Sequence, residues 1–135
     1  MPYKFYNPNP KNLFTSDCVV RAIAKLMDFD WDTAYLKLAM RAFDEKMIIS
    51  SDTVWLEYLR QNGYKRYMIP DTCPFCYTVR EFAEDHKKGH YILKITGSTS
   101  GHVVAVIDGD YYDTWDSGNE IPIYYLERSS DNAIV

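Results

Sequence analysis

The stretch HVVAVIDGDYYDTWD, His102–Asp116, decides the fold. Asp108-Gly109 lies between two runs rich in Val, Ile and Tyr, and Asp-Gly between apolar, β-rich runs is the strongest short hairpin signal. The pattern predicts a strand over 102–107, a turn on 108–109 and a strand over 110–116. The same hairpin governs which acid can meet His102. A two-residue turn pairs 102 with 115 and leaves Asp113 diagonally on the face of His102. A three-residue turn over 108–110, with a glycine bulge, pairs 102 with 116. Either register brings an aspartate within reach; Asp116 is the expected partner and Asp113 the alternative.

The surrounding segments extend the sheet. HYILKITG, from His90, and IPIYYLE, from Ile121, have strand composition, GSTSG reads as a loop, and Tyr64–Ile69 reads as a short strand. The N-terminal half follows a different period. Val19, Val20, Ile23, Ala24 and Met27 recur at helical spacing after Thr15-Ser16-Asp17, predicting a helix over 17–27 whose cap is Asp17. Further helices are expected over 31–44 behind Asp30 or Asp32, over 51–61 ending at Asn62-Gly63, and from Thr78 to Lys88-Gly89. MPYKFYNPNP reads as an extended arm, because its prolines cannot continue a helix. Helices first and an antiparallel sheet second make the expected class α+β, in a single domain over 1–135.

Composition narrows the function. The chain has 135 residues, 47% of them hydrophobic and 25% charged, enough for one real core. Its net charge is −4 with no basic stripe, so nucleic acid is not an expected partner. No apolar run approaches the ~20 residues of a spanning helix, and the opening segment lacks an apolar secretory core. We therefore expect a cytoplasmic protein without a membrane partner. Three cysteines do not suggest a disulfide framework.

Cys73-Pro-Phe-Cys76 has thioredoxin-like spacing without a parallel βαβ frame, and joining it to His86 and His90 gives a spacing shorter than standard zinc fingers. The leading reading of that pair is two loop cysteines. No metal and no cofactor is expected.

Cys18 opens the first helix, and His102 opens a strand 84 residues later. A thiolate is the nucleophile in thiol catalysis. A helix N-terminus and a neighbouring imidazolium both favour that anion, lowering the thiol pKa from about 8.5 towards ~3.5–7.5. A carboxylate on the second ring nitrogen fixes tautomer and orientation. Acyl transfer also needs donors for the oxyanion, for which the Cys18 N–H and the Asn12 side-chain amide are the candidates.

Asn12, Asp17-Cys18, His102 in GHVVAVIDG and Asp116 in WDSG together resemble the papain-like cysteine peptidases. The pattern is most similar to bacterial double-glycine leader peptidases, which carry an amide residue six positions before an Asp-Cys pair. DCVVRAIA and GHVVAVIDGDYYDTWDSG also resemble small phage and bacterial proteins. The usual family glutamine is Asn12 here, and the glycine after the cysteine is Val19. Residues 28–90 have no counterpart.

The resemblance implies a papain-like domain with a Cys18–His102–Asp116 triad (Asp113 replacing Asp116 in the other register). The implied partner is a peptide or protein substrate cleaved at a peptide, isopeptide or related amide bond. The same groups also serve transfer and deamidation. The alternative is an inactive papain-like domain that binds or inhibits a partner, as a phage-encoded inhibitor would, with twelve tyrosines suited to an interface. The sequence does not define an oligomeric state.

Overall fold

A computed structural model describes residues 2–72, 74–95 and 101–128. Its elements follow the chain as β1 (Tyr3–Phe5), α1 (Cys18–Met27), α2 (Trp31–Glu45), α3 (Asp52–Gln61), β2 (Tyr64–Met68), α4 (Val79–Asp85), β3 (His90–Ile95), β4 (His102–Ile107), β5 (Asp110–Asp113) and β6 (Pro122–Arg128). The strands form one six-stranded sheet in the order β1-β5-β4-β3-β6-β2. The architecture is α+β. Cys73 and residues 96–100, which hold most of the expected GSTSG loop, lie outside the described residues.

The sheet is mixed rather than purely antiparallel, because β1 joins β5 in parallel, with Tyr3 opposite Tyr111 and Phe5 opposite Asp113. The arm lacks the alternating apolar run that marks a strand. It is held at the edge by backbone pairing instead, including Tyr111 N–H to Pro2 O at 2.9 Å.

Strand alternation divides the core. Val103 and Ala105 of β4 pack with α1, α2 and α3, together with Ile23, Leu38 and Trp55. Val104 and Val106 point to the other face and meet Val79, Phe82 and Ala83 of α4. Helix α1 is apolar nearly all round: Val20, Ala22, Ile23, Ala24, Leu26 and Met27 are buried, since it lies between β4 on one side and α2 on the other. Two of the helices begin on side-chain caps. Asp30 accepts the Thr33 N–H at 2.7 Å, and Thr78 accepts that of Glu81 at 3.2 Å.

The decisive hairpin takes the shorter turn. Ile107 pairs with Asp110, Val106 with Tyr111 and Ala105 with Tyr112. Asp108 and Gly109 both have positive φ, 49° and 87°, as a type I′ turn demands. Strand β5 stops at Asp113, three residues short of the expected end, and the chain bends away at 114–115. Among the described residues no helix is long and apolar enough to cross a membrane.

Candidate active site

The register of the hairpin selects the acid. With Ala105 opposite Tyr112, the position facing His102 would be 115, and Asp113 falls on the diagonal. His102 Nε2 lies 2.6 Å from Asp113 Oδ2. The expected partner Asp116 is elsewhere. Its Oδ1 accepts the Tyr111 hydroxyl, the Gly118 N–H at 3.0 Å and Arg80 Nη2 at 3.5 Å. The physical reason is the bend after β5, which turns Asp116 away from His102 and ties the 114–119 loop to α4.

Cys18 is the first residue of α1, half-buried and not in a disulfide. Its thiol shares the groove with His102 and Val103, and both favour the thiolate. Since Nε2 is taken by Asp113, Nδ1 is the ring atom left for sulfur. Burial alone would raise the thiol pKa. The bonds to His102 and Val103, with the charges of His102 and Arg21, outweigh it, and the net shift is downward. For His102, burial opposes the charge, but the bonds to Asp113 and Cys18 prevail and lift its pKa to about 9. Each group favours the charged form of the other, the thiolate–imidazolium pair.

Asp113 is 1% exposed, and its carboxylate is saturated with donors. Oδ1 takes Thr114 N–H at 2.8 Å and Arg21 Nη2 at 3.2 Å, while Oδ2 takes Ser117 Oγ at 2.8 Å as well as His102. Desolvation would raise its pKa; the bond to His102, that ring's charge and the other donors reverse this, so the pKa is lowered. Arg21, 7% exposed, also reaches back to Asp17, whose Oδ2 accepts Trp31 Nε1–H at 2.9 Å. Asp17 therefore does not cap α1 with its side chain as expected. It is drawn inward as the counter-charge of Arg21. A continuous polar chain runs Trp31–Asp17–Arg21–Asp113–His102–Cys18 through an otherwise apolar interior.

Sequence reasoning missed Arg21 and Trp115. The signal for Arg21 is present: a cation among the apolar residues of the first turns of α1, four residues after an aspartate. Trp115 lies with its ring centroid 5.3 Å from that of His102 and covers one side of the imidazole. Asn12 is not brought to the site. It sits exposed at φ 56° in a turn closed by its N–H to Asn9 O at 2.9 Å, and it does not line the groove containing Cys18. The left-handed turn directs the chain away before it returns through Thr15 and Ser16, which do line that groove.

The groove has a volume of about 700 Å³. Cys18, His102 and Trp115 line it, together with Trp31, Tyr35 and Ile49 of the helical layer and the ion-paired Asp52 and Lys94. Trp31 and Tyr35 are stacked at 5.1 Å. The remaining titratable candidates lie apart from it. His86 stacks on Phe82 with Nδ1 2.8 Å from Phe82 O, His90 Nδ1 is 3.4 Å from Leu26 O, and Cys76 is exposed. Among the described residues no three His, Cys, Asp or Glu side chains gather as a metal site.

Comparison with protein-family models, with curated proteins and with solved structures finds no match to this chain.

Proposed function

We propose that the protein is a thiol hydrolase of papain-like type, acting on a peptide or related amide bond through Cys18, His102 and Asp113. The observation that carries this reading is the meeting of Cys18 and His102 in one groove, with His102 Nε2 2.6 Å from Asp113, the thiol pKa lowered and the imidazole pKa raised to about 9. Cys18 Sγ attacks the scissile carbonyl carbon, and the carbonyl π electrons move to oxygen. The Cys18 N–H is an oxyanion donor, since the first N–H groups of a helix lack intrahelical acceptors. Thr15 and Ser16 line the same groove and carry the hydroxyls nearest in sequence to Cys18.

The proton on His102 Nδ1 passes to the leaving nitrogen as the C–N bond breaks, leaving a thioester on Cys18. Neutral His102 then takes a proton from water, whose oxygen attacks the thioester carbonyl, and Cys18 leaves as thiolate with the acid product released. Asp113 keeps the ring oriented throughout, held in place by its ion pair with Arg21. The stacked Trp31 and Tyr35, with Ile49, give the groove an apolar wall suited to a large apolar side chain near the scissile bond.

The test is chemical first and catalytic second. Iodoacetamide should alkylate wild-type Cys18 rapidly well below pH 8. In His102→Ala the rate should follow an ordinary thiol titration near pH 8.5. A mixture of defined peptides bearing apolar residues, followed by mass spectrometry, should show cleavage that Cys18→Ala abolishes. Identical alkylation profiles for wild type and His102→Ala, with no cleavage dependent on Cys18, would overturn the proposal.

A further inference from the structure

Helix α2 is apolar on two sides. Its inner face, Ala34, Leu38 and Ala42, is in the core. Its outer face carries Leu36, Met40 and Phe43 at i, i+4, i+7, and these are 61%, 68% and 72% exposed. Met47 and Ile48, also exposed, continue the apolar surface just past the helix end, where Met47 N–H bonds Ala42 O at 2.9 Å. A surface helix normally has one apolar stripe, and a second, contiguous one marks an interaction site.

The charges beside the stripe identify its occupant. Lys37 and Asp44 lie along one flank, and Asp32 and Lys46 along the other, with the Lys46 ammonium 4.0 Å from the Phe43 ring centroid. An antiparallel helix pair about a two-fold axis at Met40 sets position 40−n opposite 40+n and each flank against its own copy. Lys37 then falls one residue from the point opposite Asp44, and Asp32 two residues, or about 3 Å of rise, from the point opposite Lys46. Both flanks are self-complementary, each with its acid meeting the partner's base. At roughly 200 Å² per fully exposed large apolar side chain, the observed exposures leave on the order of 600 Å² per copy, approaching the ~800 Å² per partner of a standard interface.

We propose that the protein forms a two-fold dimer through antiparallel packing of α2 against α2 of a second copy, with Met40 on the axis. Tyr35 and Trp31, which line the Cys18 groove, project from α2 well away from this stripe, so the groove stays open in the dimer.

Sedimentation velocity of the full chain from about 1 to 100 µM tests this. Wild type should approach twice its 15.8 kDa mass, and Met40→Asp should stay monomeric with an unchanged melting profile and unchanged Cys18 alkylation. In a symmetric pair each substitution acts twice, so Lys37→Asp and Asp44→Lys should each weaken the dimer about tenfold. The combined Lys37→Asp/Asp44→Lys variant should recover to within about threefold of wild type. A wild-type monomer across the range, a dimer that survives Met40→Asp, or a combined variant no tighter than either single one would each overturn the proposal.

Discussion

Replacing Asp113 with Asn removes one charge and two protons' worth of acceptor capacity while keeping the side chain's shape. In the wild type, His102 titrates at about 9 against an ordinary value of 6.5. That rise corresponds to a preference of a few kcal/mol for the imidazolium, on the order of 1 kcal/mol for each tenfold change in affinity for the proton. The bond to Asp113 leads the interactions that produce it, ahead of the bond to Cys18. Losing the carboxylate should therefore move the His102 pKa back towards its ordinary value. The thiol loses the same support, because the two groups hold each other charged. The assay is the second-order rate of Cys18 alkylation by iodoacetamide from pH 4 to 10. In Asp113→Asn the rate near pH 6 should fall about tenfold or more, and the thiol titration should move towards 8.5. Asp116→Asn serves as the control, since it removes the charge at the oxygen that accepts the Tyr111 hydroxyl and the Gly118 N–H and leaves His102 with its own carboxylate. Its alkylation profile should stay within about twofold of wild type. An Asp113→Asn profile that superimposes on wild type, or a loss seen in Asp116→Asn instead, would refute the assignment.

Substrate turnover, measured as kcat/KM against pH, should follow a bell. The acid limb reports ionisation of Cys18 below its ordinary value, and the basic limb lies near pH 9, where His102 loses the proton it must donate. The same raised pKa gives stability that is fully present below about pH 6.5 and lost as pH rises through about 9, while the lowered thiol pKa works in the opposite direction over that range; in Cys18→Ala the melting temperature should therefore fall across the interval, and less so when His102→Ala is added. Arg21→Met leaves the Asp17 and Asp113 carboxylates without their shared cation and should cost about 3–5 kcal/mol in denaturant titration at pH 7. Gly118→Ala drives a Cβ into the Tyr111 hydroxyl and the Arg80 guanidinium and should cost about 1–3 kcal/mol by the same titration.

Most of the fold is legible because its elements are local. Helices α1 to α4 each carry an apolar period and start or stop chemistry within a few residues, and Asp108-Gly109 marks its turn unaided. The parallel pairing of β1 with β5 is not legible, since Tyr3–Phe5 is too short to show a period and its partner lies more than a hundred residues away. Within the site, Cys18 and His102 could be picked out by element position alone. The choice between Asp113 and Asp116 depends on one residue of hairpin length, which composition does not encode: Asp108-Gly109-Asp110 is compatible with both turns. Asn12 failed for a related reason. Its spacing of six before Cys18 is a linear feature, and the left-handed backbone at Asn12 changes where a six-residue loop ends.

The buried charges behind His102 bear on what the site is for. Withdrawing Asp17, Arg21 and Asp113 from water costs several kcal/mol per ion, and a well-packed apolar set of the same volume would serve stability as well or better. All three are nonetheless less than a tenth exposed, and the line they form ends on an imidazole at the edge of an open groove. A surface that only binds gains nothing from fixing one ring nitrogen of a histidine through a saturated carboxylate, since a solvated side chain would make the same contact. A general base gains tautomer, direction and a raised pKa from it. The cost of the buried network is thus accounted for when His102 must present one defined nitrogen to Cys18, which is why the hydrolase reading is favoured over the inactive binding domain.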